Sequence, residues 1–272
     1  MYTFLPPSCK EITKEKELQQ FLSPEGILYL IMNRSEVQNA FNGKQIENIL
    51  IALEDAEEND GVNVIVLTGA GKNFSAGGDI NYMRSLGENS FEENKADALQ
   101  MALLMNRLNE CEKPTIARVN GAAFGGGVGL LCCCDMAFGT ENTKICLSEV
   151  KIGMVPATIG PYIVKAIGLR NAHRYMLTAE VLKGKEAVEA SFLSGIFNED
   201  QFDQALIDVC KKIANNAPNA LATTKALLLN IAYQPVDDNL IDYTADVIAT
   251  ARDSKEGKEG LSAFLEKRKP NF

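Results

Sequence analysis

Two glycine-containing segments of the chain have the residue types needed to bind a developing negative charge. Residues 73–79 read NFSAGGD, and residues 120–129 read NGAAFGGGVG. Because glycine has no side chain, the backbone N–H groups of such segments stay open to an incoming oxygen. Two N–H groups that converge on one point would stabilise the charge that builds on a thioester carbonyl during enolate chemistry, each by about 3–4 kcal/mol.

A single carboxylate, Glu149, follows the second segment in the apolar run ICLSEV of residues 145–150. One interpretation is a glutamate at a strand end that points to solvent. In the other, Glu149 is buried beside a thioester, where desolvation raises its pKa and suits it to moving protons. The glycine segments and this carboxylate together favour an enzyme that acts on an acyl-CoA ester.

Other chemistries have weaker support. Tight turns and close helix packing are common uses of glycine clusters, but neither segment has the spacing of a dinucleotide or P-loop motif. The only histidine, His173, lies in a helical stretch, and no G-x-S-x-G accompanies it, which argues against a Ser-His-Asp hydrolase. The consecutive Cys132, Cys133 and Cys134 lack the C-x-x-C spacing of a zinc site, so we expect them to pack in the core.

The elements that must position these groups alternate between strands and helices, which predicts an α/β fold. Each glycine segment follows a strand, which is where α/β proteins tend to place ligand sites. The polar stretch 86–97 is predicted to be a mobile loop or a frayed helix. Apolar runs predict strands at 27–32, 62–67, 115–119, 136–139 and 145–147, and apolar residues at helical spacing predict helices at 43–59, 98–111 and 127–135.

From about residue 201 the pattern is purely helical, with helices predicted at 203–214, 219–233 and 240–251. We therefore divide the chain into a core at 1–200 and a helical C-terminal region at 201–272. The basic run at 267–269 has two interpretations, a solvated helix end or a clamp for nucleotide phosphates.

Composition narrows the function classes. The chain has 272 residues, 46% of them hydrophobic, and a formal net charge of −9, which argues against binding nucleic acid or an anionic membrane. It has no apolar stretch long enough to span a membrane and no apolar core typical of a secretory signal near its start. Seven cysteines, an odd number, favour free thiols in a reducing compartment, so we expect a cytoplasmic location.

Together these segments resemble the crotonase superfamily of enoyl-CoA hydratases and isomerases. The resemblance runs from about residue 25 to the end of the chain, with matching pieces at 33–41, 74–79, 120–127, 147–149 and 264–272. It implies a spiral of ββα units followed by a helical C-terminal region used in oligomerisation. A homotrimer or a dimer of trimers is the implied assembly.

The resemblance also implies a role for particular residues. The backbone N–H groups of Gly78 and Gly126 would form the oxyanion hole for the thioester carbonyl, and Glu149 would be the acid–base residue. No metal or redox cofactor is needed, because the thioester itself acidifies the α-carbon and coenzyme A is part of the substrate. Substrate contacts are expected from Ala76 and Gly77 against the adenine, from Lys267 near the CoA phosphates, and from Ala40, Asp79, Gly125, Gly129 and Pro156.

One departure from the family pattern bears on the reaction. The best-known enoyl-CoA hydratases have a first glutamate two residues beyond the glycine triplet, and this chain has Gly129 there. Hydration would then depend on Glu149 alone or on a second group that shares the task. The alternatives are a Δ3,Δ2-enoyl-CoA isomerase, for which one glutamate suffices, and a family member that binds acyl-CoA with little turnover.

Residues 124–129 and 151–162 look similar to those of methylglutaconyl-CoA hydratases of leucine breakdown. In a branched or glutaconyl-type ester, a carboxylate of the substrate could replace the missing glutamate. Gly129 is expected to leave extra room for such a group.

Overall fold

A computed structural model of the chain describes residues 4–86 and 90–272, and within them it shows the α/β class that the sequence predicts. The strands form a seven-stranded sheet in the order β1-β2-β3-β4-β5-β7-β10 and a three-stranded sheet in the order β6-β8-β9. Their bounds are Lys10–Glu11 (β1), Leu18–Leu22 (β2), Ile27–Met32 (β3), Val64–Gly69 (β4), Thr115–Arg118 (β5), Ala122–Phe124 (β6), Met136–Gly139 (β7), Lys144–Cys146 (β8), Leu182–Lys183 (β9) and Gly195–Ile196 (β10).

The helices cover the large sheet and extend beyond it. Their bounds are Gly43–Glu57 (α1), Ile80–Leu86 (α2), Phe91–Glu110 (α3), Gly126–Cys133 (α4), Gly160–Thr178 (α5), Gly184–Glu189 (α6), Phe202–Ala214 (α7), Pro218–Ile231 (α8), Asp238–Asp253 (α9) and Lys255–Glu266 (α10). Two short 3₁₀ helices lie at Ser35–Val37 and Glu149–Ile152.

The parallel order of the large sheet brings both glycine segments to one edge. β3, β4, β5 and β7 run parallel, and Thr68 near the end of β4 pairs with Arg118 at the end of β5. Because the carboxyl ends of parallel strands meet at the same edge, the segments that follow β4 and β5 leave the sheet side by side. The strand order alone therefore places the two glycine segments next to each other.

Both faces of the sheet are buried, and the alternation of side chains along β3 and β4 divides them between two clusters. Leu30 and Leu67 point to the face covered by α1 and α3, whereas Tyr29 and Val66 point to the face covered by α7. Strands that are buried on both sides need continuous apolar runs. This is the pattern from which the strands at 27–32 and 62–67 are predicted, and both predictions are confirmed within two residues.

α3 begins earlier than its apolar spacing indicates, at Phe91 instead of residue 98. The Ser90 hydroxyl accepts a hydrogen bond from the Glu93 amide, and the Glu93 carboxylate accepts one from the Ser90 amide. This capping box starts the helix in a polar stretch that has no apolar periodicity. Of the two alternatives predicted for this stretch, the loop is therefore wrong for residues 91–97, which are helical. Residues 87–89 lie outside the described part of the chain.

After β10 only helices follow, as the sequence predicts, and a fourth one, α10, joins the three predicted helices. α7 packs on the sheet through Leu206 and Cys210, whereas α8 and α9 bury no residue. The division of the chain at residue 200 stays a prediction. Among the described residues, none of the helices combines the length and apolar character needed to cross a membrane.

Candidate active site

The site is built from extended segments that pair side by side beyond the edge of the large sheet. Phe41 forms a parallel bridge with Gly78, and Ser75 forms another with Ala123. Ala123 belongs to β6, which pairs in parallel with β8. This ladder brings together the loop after β3, both glycine segments and the strand that leads to Glu149.

Gly77 and Gly126 lie in contact where the two glycine segments meet. A Cβ atom added at Gly77 would stand 3.2 Å from the Gly126 nitrogen and 2.7 Å from the Phe124 carbonyl oxygen. The φ angles of Gly77 and Gly125, +88° and +51°, lie in the left-handed region that disfavours a side chain. Within the described part of the chain, the backbone N–H groups of Gly78 and Gly126 donate no hydrogen bond. Two N–H groups on adjoining segments are thus open to a ligand.

Glu149 reaches the same place from β8. Three residues after Cys146 the chain turns into the 3₁₀ helix that Glu149 begins, and a Cβ atom at Gly125 would stand 3.3 Å from Glu149 Oε1. The other carboxylate oxygen, Oε2, is buried and accepts no hydrogen bond from the described residues. Burial raises the pKa of Glu149. The solvent-facing interpretation of this residue is therefore wrong.

Polar side chains that the sequence analysis did not assign hold the glycine segments in place. The Asn39 side-chain amide donates to the carbonyl oxygens of Ala70 and Asn73 at 2.8 and 2.7 Å, and the Ser75 hydroxyl donates to the Asn39 carbonyl at 2.8 Å. The Asn120 amide donates to the Gly69 carbonyl at 2.9 Å. Asn39, Ser75 and Asn120 stand inside the matching motifs, so the motifs contained a signal for these positioning roles.

Asp79 is bound to Arg34, which bears on its expected role in substrate binding. Arg34 Nη2 lies 2.9 Å from Asp79 Oδ2, and both side chains are nearly buried. Asp79 Oδ1 accepts a hydrogen bond from the Asn81 amide at the start of α2. Burial would raise the pKa of Asp79, but Arg34 and the α2 amides hold it below its usual range. The carboxylate thus fixes the first glycine segment, and its contact with substrate stays a prediction.

Three large apolar side chains cover the two oxyanion candidates. A Cβ atom at Gly126 would stand 2.5 Å from Phe41 Cζ and 3.0 Å from Met101 Cε. At Gly78, a Cβ atom would stand 3.1 Å from Met83 Sδ. None of these side chains was assigned to the site from the sequence. Phe41 stands inside the matching segment 33–41 and Met83 follows Gly78 by five positions, whereas Met101 meets Gly126 only through the fold. The three side chains make the surroundings of the two N–H groups apolar.

The room expected beside Gly129 does not exist. Gly129 is buried in α4, and a Cβ atom there would stand 2.2 Å from Ile159 Cγ2 and 3.2 Å from Met105 Sδ. The expectation of extra space is wrong because Ile159, at the start of α5, fills it. This contact could not be read from the sequence, since Ile159 is thirty positions away.

The remaining predicted contact residues are spread over the molecule. Ala76 is exposed beside Gly77, and the carbonyl of the buried Ala40 accepts a hydrogen bond from Arg34 Nη1 at 2.6 Å. Pro156 is half-buried in the turn that leads to α5. Lys267 is exposed and ends α10 in a left-handed conformation. Their roles in substrate binding stay predictions.

His173 and the cysteines lie where the sequence analysis expected them. His173 is exposed on α5, whereas Cys133 and Cys134 belong to the core and Cys132 packs against it. Burial raises the pKa of all three thiols. A cavity of about 360 Å³ is lined by these three cysteines and by Tyr233 of the C-terminal region. Its lining includes neither Glu149 nor any residue of the two glycine segments.

Open N–H groups on adjoining segments and the nearby carboxylate of Glu149 are the kinds of group that an enzyme needs to stabilise an enolate and move a proton. The profile of the family described as Enoyl-CoA hydratase/isomerase matches residues 23–272. The chain belongs to this family.

Relatives and solved structures agree with that assignment. A crystal structure of an enoyl-CoA hydratase from Shewanella pealeana matches with a TM-score of 0.91 and 42% identity, over 94% of this chain and 96% of that chain. The crotonyl-CoA hydratase of Syntrophomonas wolfei is 31% identical, over 91% of this chain and 95% of the relative. The peroxisomal Delta(3,5)-Delta(2,4)-dienoyl-CoA isomerase of Arabidopsis thaliana is 30% identical, over 96% of this chain and 98% of the relative.

These similarities confirm the crotonase fold that the motifs predict. The chain is an enzyme of the hydratase or isomerase kind that acts on a CoA thioester.

Proposed function

We propose that the chain catalyses the reversible addition of water to the 2,3-double bond of a 2-enoyl-CoA thioester. The observation that carries this proposal is the position of Glu149, whose Oε1 lies 3.3 Å from the Cβ position of Gly125, next to Gly126, and whose buried Oε2 has no described partner. A carboxylate whose pKa is raised by burial suits proton transfer at such a place. The relatives named as hydratases support the same choice.

In this reaction the backbone N–H groups of Gly78 and Gly126 donate hydrogen bonds to the thioester oxygen while it gains negative charge. Glu149 accepts a proton from water as the water oxygen bonds to C3. The electrons of the double bond move toward the carbonyl and form the enolate. Glu149 then returns the proton to C2, so that one water is added and the carboxylate is regenerated.

A second candidate reaction is double-bond isomerisation with the same residues. Gly129 stands where a second glutamate would be, and Ile159 fills the space beside it, so Glu149 remains as the single carboxylate of the motif. A single carboxylate suffices to remove a proton at C2 and return it at C4. The similarity to a dienoyl-CoA isomerase supports this alternative.

For the acyl group we propose an apolar chain. Phe41, Met83 and Met101 surround the oxyanion candidates, and Arg34, the cation beside the first glycine segment, is already paired with Asp79. The branched or glutaconyl-type ester has lost the support of open space at Gly129. The proposal of such an ester now rests only on the similarity of residues 124–129 and 151–162 to those of methylglutaconyl-CoA hydratases.

We also propose that the chain assembles as a homotrimer or a dimer of trimers through its C-terminal helices. Large apolar side chains on these helices are strongly exposed in the single chain, among them Phe264 at 81% and Leu265 at 79%. In the assembly, Lys267 could approach the CoA phosphates of a neighbouring subunit. Seven free cysteines support the proposed cytoplasmic location.

An absorbance assay tests the reaction. Loss of the conjugated enoyl-thioester absorbance on adding enzyme to crotonyl-CoA indicates hydration, and its appearance from a 3-enoyl ester indicates isomerisation. We expect Glu149→Gln to lower kcat by about 10²–10⁴-fold while CoA-ester binding persists. The exposed Glu141→Gln is the matched control and should keep full activity. Full activity in Glu149→Gln would refute the assignment, and a panel that includes 3-methylglutaconyl-CoA tests the acyl group.

A further inference from the structure

A tyrosine–carboxylate hydrogen bond joins the two helices that follow the first glycine segment. The Tyr82 hydroxyl, on α2, donates to the Asp97 carboxylate, on α3. Both side chains are half-buried. Burial and the neighbouring Asp97 raise the pKa of Tyr82 to about 12, so the hydroxyl keeps its proton at neutral pH. The proposed proton transfer uses neither residue.

Each of the two helices also carries a methionine to the site. Met83 follows Tyr82 directly, and its Sδ lies 3.1 Å from the Cβ position of Gly78. Met101 stands one helical turn after Asp97, and its Cε lies 3.0 Å from the Cβ position of Gly126. The hydrogen bond therefore joins the two helices that supply the side chains covering the oxyanion candidates.

The same tyrosine reaches a third helix. A Cβ atom at Gly43, the first residue of α1, would stand 3.1 Å from the Tyr82 hydroxyl oxygen. The Tyr82–Asp97 pair thus lies where α1, α2 and α3 come together. Methionine is flexible and fills whatever space its helix leaves, so the positions of Met83 and Met101 depend on how these helices are held.

We propose that the Tyr82–Asp97 hydrogen bond is a positioning latch that selects apolar acyl groups. It holds α2 against α3 so that Met83 and Met101 form an apolar surface, without water, beside the thioester carbonyl. A charged acyl end would lose its hydration against that surface, whereas an apolar chain would gain contact area. Tyr82 and Asp97 are positioning residues in this scheme, which rests on the proposed use of a CoA thioester.

Binding of saturated analogues tests the latch without turnover. The affinities of hexanoyl-CoA and glutaryl-CoA are measured by calorimetry for the unaltered protein and for the variants Tyr82→Phe and Asp97→Asn. We expect the unaltered protein to prefer hexanoyl-CoA. Because each variant weakens or removes one hydrogen bond to a charged group, the preference should fall by about tenfold, mainly through weaker hexanoyl-CoA binding.

Two further variants make the experiment specific. Tyr243→Phe removes another tyrosine hydroxyl, which accepts a hydrogen bond from Asn230 in the C-terminal region, and should leave the preference unchanged. Asp97→Glu keeps a carboxylate acceptor and should therefore keep most of the preference for hexanoyl-CoA. An unchanged preference in Asp97→Asn and Tyr82→Phe, or an equal loss in Tyr243→Phe, overturns the latch.

The outcomes separate this inference from the proposed reaction. If the protein turns over no enoyl-CoA but its binding preference changes in the two latch variants, the latch stands and the reaction assignment fails. If hydration is observed and the preference is unchanged in both, the reaction stands and the latch is wrong. If Tyr82→Phe does not fold, the nearly isosteric Asp97→Asn decides alone.

Discussion

Glu149 combines two properties that rarely occur together in a folded protein. Its carboxylate is turned inward, yet its buried Oε2 accepts no hydrogen bond from the described residues. A buried charge without a partner destabilises a fold, and groups of this kind are usually found where chemistry requires them. By contrast, the carboxylate of Asp79, which lies nearby in the first glycine segment, has a full set of partners. The difference separates the proposed proton carrier, Glu149, from the residue that fixes the loop, Asp79.

Because the buried, unpartnered charge of Glu149 destabilises the fold, the variant Glu149→Gln should change the stability of the protein in a pH-dependent way. Burial raises the pKa of Glu149 in the folded protein, so the folded state favours the protonated form. The stabilisation from this preference is complete below the ordinary pKa of glutamate, near 4.3, and is lost as the pH rises through the raised value. At pH 7 the neutral variant should be more stable than the unaltered protein.

Urea unfolding at pH 7 and near pH 4 measures this effect. The difference between the two proteins should be present at pH 7 and should shrink toward zero at the lower pH. A difference of the same size at both pH values would mean that burial of the charge is not its cause.

At the scale of elements, the sequence predicts best those strands and helices whose burial is regular along the chain. β3 and β4 are apolar throughout because both faces of the sheet are covered, and α1 has the apolar spacing of a helix that packs on one side. The start of α3 depends instead on the Ser90–Glu93 capping box, and apolar periodicity contains no trace of it.

In the site too, residues that belong to local sequence motifs can be predicted, whereas contacts made by the fold cannot. Gly77, Gly78, Gly125, Gly126 and Glu149 stand in motifs and could be named from the sequence. Met101 and Ile159 could not, because each meets its glycine only after separate helices have packed. Long-range packing of this kind has no local signature, which is why the expectation of room beside Gly129 failed.

The contact between α4 and α5 predicts that Gly129 tolerates no side chain. A Cβ atom there would stand 2.8 Å from Ile159 Cβ, so Ile159 cannot avoid it by changing rotamer alone. We expect Gly129→Ala to lower the free energy of unfolding by about 1–3 kcal/mol. For the same reason, Gly129→Glu should fail to restore a two-carboxylate site.

Gly160→Ala is the matched control, because apart from its own chain neighbours no atom lies within 4 Å of a Cβ atom added at Gly160. The helix propensity of alanine favours this variant, whereas Pro161 disfavours helical backbone at an alanine before it, so it should lose less stability than Gly129→Ala. Urea unfolding measures the free energy of unfolding of both variants. Equal stability of the two would show that α5 can move away from Gly129.

For the whole molecule, the C-terminal helices present a surface that a single chain leaves open. α8 and α9 bury no residue, and α10 buries only Ala263. Large apolar side chains as exposed as Phe264 and Leu265 on these helices are typical of an interface between subunits. The identical chains of a homo-oligomer would supply the missing partner surface, which agrees with the proposed trimer.

A double variant, Phe264→Glu with Leu265→Glu, tests this surface. If the two side chains are buried between subunits, each introduced carboxylate would lose its hydration in the assembly, and sedimentation velocity should show dissociation to single chains. The control is Leu177→Glu on α5, where a leucine is 73% exposed but lies outside the C-terminal helices. It should sediment as the unaltered protein does. An unaltered protein that already sediments as a single chain, or a double variant that keeps its assembly, would mean that these helices do not form the interface.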